Sequence, residues 1–435
     1  MSRRGRAVAA VVMAAATAMV TLGTAPGAVA APVVVAAAAD GVTADGVSAR
    51  ATAALPRPTG PYPVGTTAVH LTDRNRVDPW KPDRQRELMI SIWYPAARPV
   101  TGADRAAYMV PAAAEHFDGD GNAGVMNYGF APGRTDWAAV RTHARVDASA
   151  SPGGRRPVVL YSPGLGDPRT WGTALVEDLA SRGYVVVTVD HTWEASEVAF
   201  PNGELATSVL PGMLGPDLDV GALLRKSMAT RVDDTRFVLD ELEHLKHSRS
   251  LPTGLGAALD LDRIGMVGHS AGGFTALQAM HDDRRIAAAV DLDGQLHFPG
   301  RDGRTGTYLS GVAQDGLDRP FLLMGTRSDD SGSYHAQPGW DALWRHSTGW
   351  RADVTLDGSR HGSYTDAESL LPQLARQGAI TPDQVRADTG DVDPGRAVLA
   401  TRTYVASFLD RWLRGHDDHL LDGPSARFPE VVYER

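Results

Sequence analysis

The sequence predicts an α/β protein in which a mostly parallel central sheet is covered by helices on both faces. Three observations support this class. Short apolar runs alternate along the chain with segments of helical periodicity. Two of these runs, residues 156–164 and 183–191, are almost continuously apolar, as is typical of strands buried on both faces. The chain has 435 residues, of which 43% are apolar and 22% charged, so it can bury such a core.

The predicted elements follow one another in a regular order. The run 87–95 alternates between apolar and polar residues and stops at Pro95, which favours a strand. Further strands are predicted at residues 156–164, 183–191, 262–270, 285–294, 319–326 and 350–358. Residues 171–183 have helical spacing and end at Gly183, a residue favoured just after a helix. Further helices are predicted at residues 227–246, 271–280 and 395–415.

Two insertions interrupt this alternation within a single predicted domain of residues 58–435. Residues 103–150 are irregular, with glycines and aromatic residues interleaved, and residues 192–225 are typical of a loop or short lid. Ligands of open α/β sheets bind at the carboxyl ends of the strands. We therefore expect both insertions to wall a binding site.

The N-terminal residues have the pattern of a secretory signal peptide. Three arginines lie among the first six residues, an uncharged run covers residues 7–30, and Ala-Val-Ala at 28–30 fits a cleavage site. A membrane anchor is the alternative, although Pro and Gly near the end of the run disfavour it. The arginines do not decide between export by the general secretory (Sec) route and export by the twin-arginine route. Residues 31–57, rich in Ala and Gly, are predicted to form a disordered leader of the secreted protein.

Composition excludes several classes of function. The net charge is −9 and no basic patch stands out, so nucleic acid is not an expected partner. The chain contains no cysteine, which excludes disulfides and a thiol nucleophile. The histidines of residues 416–419, and His244 with His247, are interpreted as solvated surface rather than metal ligands. No metal and no cofactor is implied.

The segment Gly268-His269-Ser270-Ala271-Gly272 fits the G-x-S-x-G pattern of a nucleophile elbow. In that arrangement a sharp turn between a strand and a helix presents the serine oxygen above the sheet. A strand is predicted before Ser270 and a helix after it, which supports this interpretation better than the five letters alone. A plain tight turn is the alternative. We predict that Ser270 is a catalytic nucleophile.

A catalytic serine needs a base, and His361 is the candidate because it follows the last predicted strand of the core. The order serine, acid, histidine along the chain is the one found in hydrolases that carry this elbow. Four aspartates are candidates for the acid, in two loops that follow successive strands: Asp291, Asp293, Asp329 and Asp330. Spacing alone does not choose between these loops.

The oxyanion of a tetrahedral intermediate needs backbone N–H donors. The loop after the strand at 156–164 reads Pro163-Gly164-Leu165-Gly166 and is small enough to approach a reacting carbonyl. We predict that the amides of Leu165 and Ala271 form the oxyanion hole.

The segments "PVVLYSPGLGDPRTWGTALVEDLASRGYVVVTVDHTWEAS", "GHSAGG", "AVDLDG" and "DGSRHGSYTD" together resemble the plasma-type platelet-activating factor acetylhydrolases and their secreted bacterial relatives. The resemblance extends from about residue 58 to residue 413 and implies the α/β-hydrolase fold. It also implies that Asp293 is the acid, rather than Asp329 or Asp330, and that Leu165 and Ala271 hold the oxyanion. Mammalian members of the family carry His in place of Pro163 and Phe in place of Ala271.

The resemblance implies a calcium-independent serine esterase that acts on phospholipids with a short or oxidised sn-2 acyl chain. A generic short-chain carboxylesterase or lipase and a cutinase-like polyester hydrolase are the alternatives. An open groove lined by Trp171, Trp193 or Trp340 would favour a polyester substrate. A non-catalytic binding protein and a serine peptidase on the same fold are the other candidates. Transient contact with a lipid surface and the oligomeric state are left open.

Overall fold

The computed structural model describes residues 50–100, 104–119, 128, 130–327 and 333–434. The predicted signal peptide, residues 1–30, lies outside the described residues, as do residues 31–49 of the predicted leader. Within the described ranges, eleven strands form one sheet and four more form two small antiparallel pairs.

The strands of the described residues are listed here in chain order: β1 Val64–Val77, β2 Gln85–Pro95, β3 Arg105–Ala107, β4 Arg141–Val146, β5 Arg156–Ser162, β6 Val185–Asp190, β7 Glu197–Ala199, β8 Leu205–Thr207, β9 Leu259–His269, β10 Ile286–Leu292, β11 His297–Phe298, β12 Tyr308–Leu309, β13 Phe321–Arg327, β14 Arg351–Asp357 and β15 Val431–Tyr433. The helices are α1 Pro111–Phe117, α2 Thr173–Ser181, α3 Leu210–Met213, α4 Val220–Leu245, α5 Leu255–Ala258, α6 Ala271–Asp282, α7 Gly311–Asp315, α8 Pro338–His346, α9 Ala367–Arg376, α10 Pro382–Thr389 and α11 Pro394–Arg414. Of the helices in this part of the chain, none combines the length and apolar character needed to cross a bilayer.

Six parallel strands form the centre of the main sheet, in the spatial order β6-β5-β9-β10-β13-β14. They correspond to the six apolar runs predicted as strands after residue 95. Antiparallel β2 and then β1 extend the sheet beyond β6, while antiparallel β15 pairs with β14 at the other edge. The predicted fold class is therefore confirmed.

Helices cover both faces of this sheet, because successive strand residues point to opposite sides. Leu160 of β5 packs in the cluster that contains α4 and α6, whereas the adjacent Val159 packs in the cluster that contains α2 and α11. Since the six central strands are parallel, their carboxyl ends lie at one edge, where the loops after β5, β9, β10 and β14 meet.

The helix predicted at 227–246 begins earlier than expected, at Val220. The Asp219 side chain accepts a hydrogen bond from the Ala222 amide at 2.8 Å and caps this helix. Residues 220–225, predicted as part of a loop or lid, therefore lie in the first two turns of α4. The rest of the segment 192–225 contains the β7–β8 pair and the short helix α3.

The other insertion and the end of the predicted leader are also part of the fold. Strands β3 and β4, from residues 103–150, extend the main sheet beyond β1. Ala51, Ala53 and Leu55 are buried, and Ala51 forms a β-bridge with Thr135. These buried residues precede residue 58, the predicted start of the folded domain. Alanine contributes apolar contacts here that a composition rich in Ala and Gly does not reveal.

Candidate active site

Ser270 lies at the turn between β9 and α6, in a conformation that serine rarely adopts. Its backbone has φ 57° and ψ −120°, and its amide donates to the Leu292 carbonyl at 2.8 Å. A side chain at Gly268 would overlap the Gly272 carbonyl, and one at Gly272 would overlap the Ser162 carbonyl. The two glycines of the motif are thus required by close approach of the backbone. The turn holds Ser270 at the carboxyl edge of the sheet.

His361 and Asp293 form a direct hydrogen-bonded pair. Asp293 follows β10, His361 begins a short 3₁₀ turn after β14, and His361 Nδ1 lies 2.5 Å from Asp293 Oδ2. The other oxygen, Asp293 Oδ1, accepts bonds from the Thr326 amide at 3.3 Å and hydroxyl at 3.2 Å. This geometry places the ring proton on Nδ1. His361 Nε2 is then an acceptor, and this buried atom has no hydrogen-bond partner among the described residues.

The structure separates Asp293 from the other predicted acids. Asp291 is fully buried, and its two oxygens accept bonds from the Gly294 amide at 2.7 Å and Trp340 Nε1 at 3.1 Å. Asp291 therefore binds the loop after β10 and helix α8, and it does not bind His361. Asp329 and Asp330 lie outside the described residues. Of the four candidates, Asp293 is the one whose carboxylate the structure places against His361.

The charge state of His361 is set by opposing effects. Burial lowers the pKa of His361, but the hydrogen bond and charge of Asp293, with the charge of Asp167, raise it above its usual value of 6.5. Asp293 therefore stabilises the imidazolium that a general base forms during a reaction.

A second histidine, His269, holds the backbone of the first. Its Nε2 donates to the His361 carbonyl at 2.9 Å, and the two ring centroids are 4.5 Å apart. Burial and the charge of His361 keep the pKa of His269 well below 6.5, so its ring is neutral. Asp167 Oδ2 lies 4.0 Å from His269 Nδ1. The G-x-S-x-G pattern alone predicts no role for His269, although this residue lies inside the motif.

Leu165 and Ala271, the predicted oxyanion donors, both line the pocket that contains Ser270 and His361. Leu165 follows β5, and Ala271 is the first residue of α6. Neither amide donates a hydrogen bond inside the described ranges. Both N–H groups are therefore free to bind an oxygen that develops negative charge.

The pocket has a volume of about 510 Å³ and a mainly apolar wall. Beyond the residues already named, the wall is formed by Leu224, Met228, Phe274, Gln295, His297 and Phe298. None of the three candidate tryptophans lines this pocket. Trp171 packs with Phe117 and Trp137, and Trp340 bonds Asp291. Trp193 packs against the apolar cluster that contains Leu165, under Lys81.

One group of side chains in the described part of the chain could hold a metal ion, and it lies outside this pocket. Asp417, His419 and Asp422 are exposed, and their ligand atoms lie within 4.8 Å of one another.

Comparison with known proteins identifies relatives among esterases. A sequence profile of the family described as "Platelet-activating factor acetylhydrolase, isoform II" matches residues 47–203. The "Probable 1-alkyl-2-acetylglycerophosphocholine esterase" of Arthroderma benhamiae is 29% identical over 282 residues, which cover 64% of this chain and 66% of that protein. The "Platelet-activating factor acetylhydrolase" of Canis lupus familiaris is 26% identical over 177 residues, or 37% of this chain and 40% of that protein.

A solved structure matches over a greater length. The ferulic acid esterase from Streptomyces cinnamoneus is 36% identical, with a TM-score of 0.69, and the match covers 88% of this chain and 99% of that one. The curated relatives are matched over a smaller share, about two thirds of the Arthroderma protein and 40% of the canine one. The fold, the profile and these relatives agree: the chain is an esterase of the α/β-hydrolase fold that is related to the platelet-activating factor acetylhydrolases.

Proposed function

We propose that the chain is a secreted serine ester hydrolase that works through a covalent acyl-enzyme on Ser270. The observation that carries this proposal is the His361–Asp293 pair, which leaves His361 Nε2 without a partner among the described residues, while His361 and Ser270 line the same pocket. The strained turn at Ser270 supports it, since such conformations concentrate at functional sites.

In the acylation step, Ser270 Oγ attacks the ester carbonyl carbon while its proton moves to His361 Nε2. The carbonyl π electrons move to the oxygen, which becomes an oxyanion bound by the Leu165 and Ala271 amides. The oxyanion then collapses, the bond to the alcohol oxygen breaks, and His361 returns the proton to that alcohol. Water attacks the acyl-enzyme by the same route, which releases the acid and restores Ser270.

The first substrate candidate is a phospholipid with a short sn-2 acyl chain. The family profile and the names of the curated relatives support it. Leu224, Met228 and Phe274 of the pocket wall supply apolar contact for an acyl group. The Arg225 guanidinium, on the exposed side of α4, lies 6.0 Å from the ring centroid of Phe298 and is available to a phosphate at the rim.

The second candidate is an ester of a hydroxycinnamic acid such as ferulic acid. The extent of the match to the Streptomyces esterase favours it, because that protein is covered almost completely. Within the pocket, Phe274 and Phe298 have ring centroids 5.3 Å apart, so an aromatic acyl group could pack against both.

The test is hydrolysis by the purified chain of p-nitrophenyl esters from acetate to palmitate, methyl ferulate, and a phospholipid with an sn-2 acetyl group. We expect activity that falls steeply beyond butyrate to hexanoate. Cleavage of the phospholipid with little action on methyl ferulate would support the first candidate, and the reverse result the second.

Ser270→Ala serves as the decisive variant, and Ser310→Ala, a buried helix-capping serine remote in sequence from the motif, as its control. We expect Ser270→Ala to lose at least about 10³-fold in kcat and to resist labelling by a fluorophosphonate. Wild-type rates in Ser270→Ala would sink the hydrolase proposal and favour a binding protein.

Secretion is supported by the pattern of residues 1–30. We expect mature protein recovered from culture medium to begin at Ala31, as read by mass spectrometry of its N-terminal peptide. Retention of residues 1–30 in a membrane fraction would instead indicate the anchor.

A further inference from the structure

A buried arginine holds the loop that carries Leu165. The side chain of Arg231, on α4, is fully buried, and its guanidinium donates to the carbonyls of Pro163 at 2.6 Å and Gly164 at 2.8 Å. Its Nε donates to Glu194 Oε1 at 2.6 Å, and that carboxylate is equally buried. The guanidinium is thus fixed by an anion on one side while it binds two consecutive loop carbonyls on the other.

The orientation of a carbonyl determines the orientation of the next amide. In a trans peptide unit, C=O and N–H point in opposite directions. Since Gly164 C=O points to Arg231, the Leu165 N–H in the same peptide unit points away from Arg231. Leu165 lines the pocket with Ser270, and its amide has no acceptor among the described residues.

A chain of hydrogen bonds behind the loop fixes the position of the Arg231 side chain. Arg231 Nη1 lies 3.3 Å from Ser162 Oγ, Ser162 Oγ lies 2.9 Å from His191 Nε2, and His191 Nδ1 lies 2.9 Å from Asp234 Oδ2. Burial and the positive charge of Arg231 lower the pKa of His191 to about 4, so its ring is neutral at pH 7. Neutral His191 with its proton on Nδ1 accepts from the Ser162 hydroxyl, which leaves the Ser162 oxygen as an acceptor for Arg231.

This serine, histidine and aspartate have the connectivity of a catalytic triad but cannot act as one. Each side chain is at most 1% exposed, so no substrate reaches Ser162. All hydrogen bonds of this chain have the same direction, because each group from Arg231 onwards donates to the next one, and Asp234 is the final acceptor. Arg86 binds Asp234 through two nitrogens, at 2.6 and 3.0 Å. This chain of hydrogen bonds therefore supports the loop from behind.

We propose that Arg231 is a positioning residue, which holds the Pro163 and Gly164 carbonyls so that the Leu165 amide faces the oxyanion formed on the substrate. The inference rests on the proposed ester hydrolysis. It concerns a residue that touches neither the substrate nor Ser270. Loss of one oxyanion donor lowers kcat about 10²- to 10³-fold in serine hydrolases, with little effect on ground-state binding.

The experiment compares Arg231→Met and Arg231→Lys with Arg402→Met by steady-state kinetics on p-nitrophenyl acetate and by thermal unfolding. Arg402 is a matched control, because it too is a buried arginine that donates to backbone carbonyls, those of Ala174, Pro56 and Arg57. A trifluoromethyl ketone, which forms a tetrahedral oxyanion with the serine, reports on the oxyanion hole apart from turnover.

We expect Arg231→Met to lower kcat about 10²-fold with KM changed less than about threefold, and to weaken the ketone by the same factor as kcat/KM. Arg231→Lys, which keeps one cationic donor, should lie between it and wild type. Arg402→Met should lose stability while it keeps kcat and ketone affinity.

Two results would overturn the proposal. In the first, the Arg231 variants fold and have the same kcat as Arg402→Met. In the second, neither Arg231 variant folds, which would make Arg231 a requirement of the fold. An inactive wild-type chain would be a different result, since it would reject ester hydrolysis itself.

Discussion

Ser270 adopts a backbone conformation that its surroundings impose. A non-glycine residue with positive φ costs about 1 to 3 kcal/mol and persists only where neighbouring contacts hold it. Those contacts are the bond from the Ser270 amide to Leu292 and the packing of Gly272 against the Ser162 carbonyl. The serine is held by the last residues of two neighbouring strands rather than by its own preference.

Gly272→Ala should therefore destabilise the protein and disturb the nucleophile together. The added methyl group would displace the Ser162 carbonyl, so we expect a loss of about 1 to 3 kcal/mol in the free energy of unfolding and at least a tenfold fall in kcat/KM. Urea denaturation and ester hydrolysis measure the two effects. Gly212→Ala is the control, because a methyl group there meets no atom within 4 Å. Equal stability of the two variants would contradict the close packing of the elbow.

The His361–Asp293 pair predicts how the rate depends on pH. His361 must be neutral to act as a base, and Asp293 raises its pKa above 6.5. We expect kcat/KM to rise with pH through a value above 6.5. In Asp293→Asn the carboxylate charge is lost while burial still lowers the pKa, so this limb should move to lower pH as kcat falls about 10⁴-fold.

A control for this profile is Asp315→Asn. Asp315 lies 3.1 Å from His281 Nε2. The substitution therefore removes a carboxylate that contacts a different histidine, one at the surface. It should leave both the limb and the rate unchanged. An Asp293→Asn variant with the wild-type limb would mean that the acid lies elsewhere, and Asp329 or Asp330 would then be the next variants to make.

The sequence predicts those candidate site residues that belong to a local pattern, and it does not predict those that are defined by distant contacts. Ser270 and Ala271 follow from the elbow, and Leu165 from a short glycine-rich loop after a strand. The choice of acid needed the folded structure or a family resemblance, because Asp291 and Asp293 share a strand face. Arg231 could not be predicted, since its partners are carbonyls of residues 163 and 164, and no spacing rule links a helix residue to them.

At the scale of elements, α4 connects the wall of the candidate pocket with the loop that carries Leu165. Leu224, Met228 and Arg231 are spaced by four and three residues, so they lie on one face of the helix. The first two line the pocket and the third holds the oxyanion loop. A displacement of α4 would therefore change acyl-chain selection and loop geometry at once.

Met228→Ala should extend the range of acyl groups accepted. Its side chain is 5% exposed and forms part of the pocket wall, so its removal enlarges the space available to an acyl chain. We expect the ratio of kcat/KM for hexanoate to that for acetate to rise about tenfold, as one or two buried methylene groups allow. Met89→Ala, a buried methionine of β2 outside the pocket, is the control. An unchanged ratio would place the acyl group elsewhere.

Prediction of elements succeeded where both faces of a strand are buried and failed at the edges of the sheet. The six parallel central strands are apolar runs and were all predicted. The sequence does not predict strand β1, because the second half of this strand contains polar residues such as Asp73 and Arg74. The first two turns of α4 follow a segment rich in Pro and Gly, and the Asp219 cap that starts the helix was not recognised.

At the scale of the whole molecule, several buried carboxyl groups titrate near neutral pH in the folded protein. Burial raises the pKa of Asp167 and Asp366 to about 7, and of Asp291 and Glu368 to about 8. Each favours the folded state fully at low pH, and this contribution is lost as the pH rises towards the folded pKa. The buried neutral histidines have the opposite effect. Below about pH 6.5 they bind a proton in the unfolded chain but not in the folded one, so they lower the stability of the fold as the pH falls.

Glu368→Gln tests this linkage at one group. The Glu368 oxygens are buried, so glutamine, which has nearly the same shape, removes the titration with little change in packing. The variant should gain stability over wild type as the pH rises from about 4.5 to 8, by roughly 3 to 5 kcal/mol at the upper end. Urea denaturation at both pH values measures the difference. Glu115→Gln, at an exposed position of α1, is the matched variant. A difference in stability between Glu368→Gln and wild type that stays constant with pH would contradict the prediction.

The pairing of β15 with β14 has a consequence for synthesis of the protein. The register joins residues 354–356 to 431–433, so β14 leaves the ribosome well before the strand that covers it, with α9, α10 and α11 made in between. During that interval β14 has an unpaired edge next to a largely assembled parallel sheet. Such an edge is a template for pairing with another chain. The yield of soluble protein should therefore depend on how quickly translation proceeds from residue 358 to residue 433, and on the chaperones present meanwhile.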